Sequence, residues 1–528
     1  MSACCLGTVR WPIEVRVRSS LFTTMLYILI LHYSACRTCM KRRIKCDRST
    51  PHCQKCAARG LQCPGYPQSR LRWAPVVVAD GIAEPRCENA IESQTSSSDS
   101  SDGIHLKNQS AVDHRSHALS GDDLRWADRL GTATLSVHLL HHFLHDTVRR
   151  LVWLDGYSNP WRTYIWPLSE RSPLLRLCLM TLATAHIAAI SGREFDKNIY
   201  RDSQDASLRA LSHGISDGML SAELGGSRPA PKLSEACSTE VAAGIITLCY
   251  GDLFIKHTTD QAIHLQACRV VIDTGLILQE QTGHVNETLQ FVVCEAQELE
   301  TTAHVFSFHH AGKAPSTSLV NRTSFWTFTG FIQEVTAAER ELYVARQNQG
   351  NAFPADLDGW ISKLDSARNS IYAANWSGFV CANHTDGQLT LGKVINVNYL
   401  ACLIYIHQSI LPEETCSSHL RSAISSLMND LQDLCSDPHS LNQFAHDVYW
   451  PLFIAGTVSW SCSVSQAAVR RMFMQSITKS GYWCNYDALR FLEIFWASAA
   501  SEGSDYDRRD WLDFARKQSY QMLSFIVF

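Results

Sequence analysis

Apolar residues recur at helical spacing over most of this chain, from about Leu124 to Phe528. Steps of three and four residues place them along one face of a helix, whereas the alternation of period two that is typical of strands is scarce. The pattern therefore predicts a mainly α-helical body. Its first apolar stripe consists of Leu135, Leu139, Leu140, Phe143, Leu144, Val148 and Leu151.

The clearest single helix begins at Ser172-Pro173. Serine supplies a capping oxygen, proline fits the first helical position, and the apolar run that follows continues to about Ile190, before Gly192. Further helices are predicted at about 198–222, 237–256, 260–278, 284–308, 325–347, 393–411, 418–434, 440–475, 486–499 and 508–526.

The first 35 residues follow a different pattern. Residues 21–33 form an apolar run behind three arginines, which resembles the h-region of a signal peptide. The run is shorter than the roughly 20 residues of a membrane-spanning helix. We expect residues 1–35 to be an N-terminal extension without function, either unstructured or the product of a misassigned gene start, with membrane tethering as the alternative.

A polar segment separates the helical body from the cysteine-rich region before it. From Ala74 to about Gly121 the composition shifts to Ser, Asp, Pro and Gly, and such a segment buries too little apolar surface to order itself. It contains no heptad repeat, so no coiled coil is predicted there. The predicted parts of the chain are an extension at 1–35, a metal-binding module at 36–66, a flexible Ser/Asp-rich linker at 67–123 and an all-α body at 124–528.

The cysteine-rich region contains the spacing C-x2-C-x6-C twice, starting at Cys36 and at Cys53. Thiolates favour zinc or iron–sulfur chemistry, and structural zinc takes four ligands. Two zinc ions need eight ligand positions, which six thiolates supply if one thiolate of each half bridges both metals. Symmetry assigns the bridging role to Cys36 and Cys53. The predicted ligands are Cys36, Cys39, Cys46, Cys53, Cys56 and Cys63.

Two other readings of these cysteines are weaker. A disulfide framework is typical of short secreted chains, whereas this segment belongs to a chain of 528 residues with otherwise scattered cysteines. A 4Fe–4S cluster needs only four thiolates and would leave two without a role. Elsewhere, cysteines in apolar helical stretches, such as Cys178, Cys249, Cys268 and Cys294, are predicted to be packed thiols.

Positive charge is concentrated around the cysteines. Residues 36–73 contain ten Lys or Arg against one acid, Asp47, a net charge of +9. Because the whole chain carries −4, the remainder carries −13. This asymmetry indicates a phosphate backbone as partner. A short helix from about Cys39 to Cys46 would direct its first turn to the major groove, where arginine can pair with guanine.

Residues 36–66 resemble the fungal Zn2Cys6 binuclear cluster, a DNA-binding module. The resemblance covers all six cysteines, the basic run at 41–45, Asp47 and Pro51. It implies two Zn²⁺ ions and a CGG-type triplet as target. Base contacts are implied for Arg42 and Arg43, and phosphate contacts are expected from Lys41, Lys45 and Arg48. One departure is Met40, where the family usually has Arg or Lys.

The helical body resembles the fungal-specific transcription-factor regulatory domain. This resemblance implies an α-helical fold and no fixed catalytic or ligand residues. The stretches that carry it, in chain order, are Asn159-Pro160-Trp161-Arg162, Pro167-Leu168, Ser172-Pro173-Leu174-Leu175, His264-Leu265, Cys268-Arg269, Trp450-Pro451-Leu452-Phe453-Ile454-Ala455-Gly456 and Asp510-Trp511.

These observations predict a nuclear, sequence-specific transcription factor acting on RNA polymerase II genes. The expected partners are double-stranded DNA, transcriptional coregulators and a second copy of the chain bound through the helical body, with no membrane. No phosphate-binding glycine loop, Gly-x-Ser-x-Gly turn or HExxH helix is present, so an enzyme is not expected. The alternative is a protein-interaction or metabolite-sensing coregulator whose cluster is only structural.

A second metal site is a weaker hypothesis. His141, His142 and His145 lie within about one helical turn of each other, a spacing that can bind a metal ion. No acidic or thiol partner is evident in the sequence, so we do not expect a site there.

Overall fold

The computed structural model describes residues 133–153, 155, 158–223, 234–256, 260–305, 326–347, 356–380, 385–410, 418–501 and 510–517, and residues 38, 42, 56, 58, 59 and 61. The described part is 87% helical and contains no strand. The predicted mainly α-helical fold is therefore confirmed. The expected extension at 1–35 and linker at 67–123 lie outside the described residues.

Two groups of helices make up the described body, together with two short π-helical turns at Phe143–Thr147 and Trp161–Ile165 and a 3₁₀ turn at Val148–Arg150. The α-helices are α1 (Ala133–His142), α2 (Trp166–Arg171), α3 (Pro173–Ser191), α4 (Glu194–Glu223), α5 (Glu235–Leu253), α6 (Asp260–Thr282), α7 (Glu287–Val305), α8 (Trp326–Gln347), α9 (Leu357–Val380), α10 (Thr385–Ser409), α11 (Ser418–Ser436), α12 (Pro438–Phe444), α13 (Tyr449–Thr457), α14 (Ser463–Ser480), α15 (Asn485–Ser501) and α16 (Trp511–Lys517).

Helix α3 begins and ends as its sequence predicts. The Ser172 side chain accepts a hydrogen bond from the Leu175 amide (3.3 Å), and Pro173 occupies the first position. At the other end Gly192 takes a left-handed conformation with φ 65°, which glycine adopts without the steric cost of a Cβ atom. Local capping chemistry thus sets both ends of this helix.

The first group of helices is built around α5. This helix contacts α3, α4, α6 and α7, and it is buried almost all round from Ser238 to its last residue. Small residues allow the close approach: a Cβ atom on Gly244 would lie 2.9 Å from the Leu211 side chain. A helix that is apolar on every side is expected at the centre of a core.

The second group is built around α10 and α13. Helix α10 contacts α8, α9, α11 and α13, and α13 is buried along its whole length. The loop after α14 joins the two groups: the Trp483 indole donates to the Ala189 carbonyl (2.9 Å), and the Cys484 amide donates to the Leu253 carbonyl (3.0 Å). A continuous apolar cluster runs through both groups.

The single helix predicted at 440–475 is wrong, because this stretch contains α12, α13 and most of α14. Asp437 caps α12, where it accepts hydrogen bonds from the amides of His439 and Ser440. Pro451 lies in the first turn of α13. Proline has no amide hydrogen and clashes with the preceding turn, so it is tolerated at the start of a helix and forces a break upstream.

Helix α9 was not predicted, although its sequence contains the necessary pattern. Leu357, Trp360, Leu364, Ala367 and Ile371 repeat at steps of three and four, and the last three are buried. Polar and small residues between them obscured the period. The helix predicted at 508–526 is represented by α16, and its remaining residues lie outside the described part.

Two described helices are long and apolar enough to cross a membrane, namely α3 and the part of α10 at Leu389–Ser409. Their apolar windows are 67% and 61% buried against the rest of the protein. Central helices of a protein core have this composition, and the packing above accounts for it. The apolar run at 21–33 lies outside the described residues.

Replacing Gly456 with alanine should destabilise the body. A Cβ atom there would clash with Leu492 Cδ1, so the fully buried Leu492 side chain would have to shift within the core. We expect a loss of about 1–3 kcal/mol, as in other overpacked cores. Gly392→Ala in α10 is the matched control, since nothing lies within 4 Å of the added atom, and it should stabilise by up to about 1 kcal/mol. Thermal unfolding of both variants measures this. Equal changes in the melting temperature of the two variants would show that α13 and α15 do not pack as described.

Candidate metal centre and nucleic-acid interface

Cys56 is the predicted zinc ligand that the structure describes. Its side chain is fully buried and forms no disulfide. Its carbonyl accepts hydrogen bonds from the amides of Arg59 (3.1 Å) and Leu61 (3.0 Å), which closes a tight turn with exposed residues at its tip. A buried thiol held by a turn suits a metal ligand, since its sulfur faces inward while the basic side chain of Arg59 faces solvent.

Arg42 of the predicted recognition helix is also described, together with Thr38 just before that helix. The Arg42 amide donates to the Thr38 carbonyl (3.1 Å), as in an α-helix. The Arg42 side chain is half-buried, and its Nη1 is enclosed without a hydrogen-bond partner. The other predicted site residues lie outside the described part: Cys36, Cys39, Cys46, Cys53, Cys63, Lys41, Arg43, Lys45 and Arg48, as does Met40.

In the body, residues 159–162 form hydrogen bonds and an ion pair with the chain that follows α1. Asn159 Oδ1 accepts from the Trp161 amide (3.0 Å), and its Nδ2 donates to the Asp155 carboxylate (2.9 Å). Arg162 pairs with the same carboxylate and donates to the Leu144 carbonyl (2.9 Å). Trp161 is fully buried, with its ring edge-on to Tyr250 at 5.2 Å. This motif is therefore structural.

His264 forms a buried polar pair that the sequence did not reveal. Its Nδ1 lies 2.8 Å from Asp252 Oδ2, and the two residues are 2% and 1% exposed. The Gln204 amide also approaches Asp252, at 3.4 Å. Removing one partner would leave the other buried and uncompensated, which is the costly case for such pairs. The histidine thus links α6 to the end of α5.

Close to this pair, Tyr250 donates a short hydrogen bond to Glu295 on α7. Burial raises the pKa of the Glu295 carboxyl to about 8, against the stabilising effect of the Tyr250 hydrogen bond. The carboxyl is therefore mainly protonated at neutral pH, and a neutral acid avoids the cost of a buried charge. This group has no place in the sequence predictions, because only the fold reveals its burial.

The C-terminal motifs form an aromatic cluster. Trp450 lies edge-on to Tyr405 (5.1 Å), and Phe453 lies edge-on to Trp511 (5.1 Å). The Trp511 indole donates to Gln408 Oε1 (3.0 Å), and Asp510 caps α16 by accepting from the Leu512 amide (2.8 Å). Each of these residues packs in the core or caps a helix.

The histidines near the end of α1 do not share one site. The rings of His141 and His145 lie 4.1 Å apart at the surface, whereas His142 turns inward to His186 of α3. Within the described ranges, no three His, Cys, Asp or Glu side chains are grouped to hold a metal ion. Three of the body cysteines named above, Cys178, Cys249 and Cys268, are buried and Cys294 is half-buried, as expected of packed thiols.

A basic, cysteine-rich segment with a buried thiol at Cys56 thus precedes an all-helical body in the part of the chain that the structure describes. Residues 34–72 match the fungal Zn(2)-Cys(6) binuclear cluster domain, which binds two zinc ions. Residues 138–296 and 328–525 match the fungal specific transcription factor domain. Because this second match covers more than half of the chain, the protein belongs to that family of fungal transcription factors.

Two curated relatives resemble this chain over short segments. The Arginine metabolism regulation protein II of Saccharomyces cerevisiae is 37% identical over 70 residues, which cover 13% of this chain and 8% of the relative. The Aspercryptin biosynthesis cluster-specific transcription regulator atnN of Emericella nidulans is 48% identical over 33 residues, 6% of this chain and 5% of the relative. The matched segment thus spans less than a tenth of either relative. No solved structure matches this chain significantly.

Replacing Glu295 with glutamine should change how stability depends on pH. The folded pKa of this carboxyl is raised from 4.5 to about 8, so its contribution is fully present below pH 4.5 and is lost as the pH rises through 8. Glutamine still accepts from Tyr250 but does not titrate. The variant should therefore gain stability over the wild type between pH 5 and 8, by at most about 1.4 kcal/mol per pH unit.

Denaturant unfolding at several pH values measures this difference. Glu287→Gln, an exposed change on the same helix, controls for the loss of a carboxylate. If the free energy of unfolding of Glu295→Gln differed from that of the wild type by the same amount at every pH in this range, the buried carboxyl would not be protonated as described.

Proposed function

We propose that the protein is a zinc-dependent, sequence-specific regulator of RNA polymerase II transcription that recognises CGG-type elements in the nucleus. The observation that carries this proposal is the repeated C-x2-C-x6-C spacing within a segment of net charge +9, at the position of the cluster match. The spacing suits two tetrahedral metals, and the charge suits phosphate. Direct DNA readout follows from both together.

We assign the zinc ligands to Cys36, Cys39, Cys46, Cys53, Cys56 and Cys63, with Cys36 and Cys53 bridging. The buried thiol of Cys56 supports this assignment. Bound zinc would stabilise the fold of a module that is too small to have a hydrophobic core. Six thiolates and two Zn²⁺ carry a net charge of −2, which the adjacent lysines and arginines offset.

For DNA, we assign base contacts to Arg42 and Arg43 and phosphate contacts to Lys41, Lys45 and Arg48. Arg42 is half-buried with its Nη1 enclosed, so the loss of this side chain would also change packing within the module. Arg43 is therefore the sharper test of base readout. Met40 cannot pair with a phosphate, which removes one backbone contact relative to the family pattern.

The body would provide contacts to coregulators and to a second copy of the chain. We take 36–66 as the DNA-binding domain, 67–123 as a tether and 124–528 as the regulatory domain. This division is supported by the net charge of −13 outside residues 36–73, which leaves the module as the basic part of the chain. The two functions would then reside in different domains.

A second candidate function is that of an interaction or metabolite-sensing protein whose cluster is only structural. Met40 favours it, because one DNA contact is lost. A cavity of about 200 Å³ between α8, α10 and α16 also fits a small polar molecule. Its wall includes Glu339 and Arg516, which pair at 2.5 Å, and Arg346.

Arg43→Ala should lower both affinity and sequence preference for DNA. Loss of a bidentate guanine contact typically costs about 1–3 kcal/mol. In-vitro selection with the zinc-loaded full chain should enrich a CGG-like element, and Arg43→Ala should lose that enrichment. The number of triplets in each selected sequence reports whether one copy or a pair binds.

Arg59→Ala is the control of matched charge. Arg59 is exposed on the turn after Cys56, so its loss should weaken binding to all sequences alike without changing the preferred element. If no element is enriched, or if both variants behave alike, direct readout is wrong and the structural role of the cluster is favoured.

A zinc chelator should abolish DNA binding and leave the helical body folded. Metal binding and folding are coupled in small zinc modules, whereas the described helices of the body pack around an apolar core. Circular dichroism and DNA binding, followed during the same titration, test this prediction. A collapse of the whole helical signal would mean that the module and the body are not separate units.

A further inference from the structure

His142 and His186 form a hydrogen-bonded pair at the junction of α1 and α3. His142 is the last residue of α1 and is half-buried; its Nε2 lies 3.1 Å from Nδ1 of His186. His186 is 2% exposed in the second half of α3. A hydrogen bond between two imidazoles requires one ring to donate and the other to accept. The pair therefore needs at least one neutral ring.

The surroundings of His186 cannot accommodate an imidazolium. Nδ1 also lies 3.2 Å from Thr147 Oγ1, and the ring packs against Phe254 at 5.0 Å. Nε2 is buried and makes no hydrogen bond. A second proton on this ring would be enclosed among apolar and neutral groups, at a high desolvation cost.

Nearby charges add to this effect. Burial is the main cause that lowers the pKa of His186 well below 6.5; His142 and the Arg150 guanidinium add to it, and the Ser480 backbone opposes it. Burial also lowers the pKa of His142, with His138 and His141 acting the same way and Asp146 opposing them. Asp146 Oδ2 lies 3.4 Å from His142 Nδ1 but is exposed to solvent, so its attraction is weakened.

The position of the pair gives it a mechanical role. Helix α1 contacts α3 and the π-helical turn that follows it, and its other side is exposed. Leu139 of α1 and Phe143 of the π-helical turn are buried in the same apolar cluster as residues of α3. In chain order, α1 is the first described element of the body after the cluster segment at 34–72.

We propose that the His142–His186 pair is an acid-sensitive latch that holds α1 against α3 at neutral pH and releases it on protonation. Two protonated rings would place like charges about 3 Å apart and two N–H groups facing each other. In the released segment each ring would take up its proton in water. The latch goes beyond the proposed function and does not depend on DNA recognition.

The sign of the pH dependence follows from the direction of the pKa shifts. Both histidines have folded pKa values below 6.5, so they contribute stability that is present above pH 6.5 and is lost as the pH falls towards the folded values. Other buried groups also titrate. Burial lowers the pKa of His446 to about 3, which weakens the fold in acid, and Glu295 acts in the opposite direction. A local measurement is therefore needed.

Hydrogen exchange of the zinc-loaded full chain between pH 7.5 and 5.5, corrected for intrinsic exchange rates, provides it. The equilibrium constant for opening of residues 135–147 should rise as the pH falls below 6.5. We expect a rise of about tenfold per pH unit for each histidine that takes up a proton on opening. Helix α11, at Ser418–Ser436, should change far less. Parallel changes in both segments would overturn the latch.

Two variants test the assignment. His186→Asn and His142→Gln should each reduce the slope at residues 135–147, because each variant removes one of the two titrating rings. His145→Gln, one turn away and exposed, and His446→Gln, which loses a bond to the Val152 carbonyl, should leave the local slope unchanged. Full pH dependence in His186→Asn would refute the proposal. So would opening that responds to added zinc or chelator, since this would make the pair a metal site.

Discussion

Three hydrogen bonds join the chain just after α1 to residues about 290 to 330 positions later in the sequence. They connect the beginning of the body to its end. The Tyr482 hydroxyl donates to the Arg150 carbonyl (2.6 Å), His446 bonds the Val152 carbonyl (3.1 Å), and Arg150 donates to the Asn442 carbonyl (3.0 Å). The segment at 148–153 is too irregular to satisfy its own backbone groups, and such groups need partners when they leave water. The first and last thirds of the body therefore form together.

Buried polar pairs give the same core its specificity. Asp252 with His264 and Tyr250 with Glu295 lie among buried apolar side chains, including alanines and leucines of α5 and α6. A shift of one helix past another would separate these pairs and leave unpaired polar atoms in an apolar interior. We infer that these pairs favour a single packing arrangement of the helices. This role would account for the presence of His264 and Trp161 in the motifs of the body.

The division of charge separates the two tasks of the protein. Ten of the 47 basic residues fall in the 38 residues around the cysteines, whereas the rest of the chain is acidic overall. Because DNA and the body of the protein are both negatively charged, they repel each other. DNA would therefore bind at the cysteine module. Under our proposals, a response of the body to protons at His142 and His186 would leave the charge of the cysteine module unchanged.

The sequence by itself determined the elements that depend on neighbouring residues. The cap at Ser172, the glycine end at Gly192, most helix positions and the doubled cysteine spacing are local, because each depends on a few residues within one turn or loop. Tertiary structure alone decided that His142 leaves its surface neighbours for His186, that Glu295 is neutral, and that Tyr482 reaches Arg150. These outcomes depend on desolvation by residues far away in the chain, and no local pattern encodes which distant side chain will exclude the water.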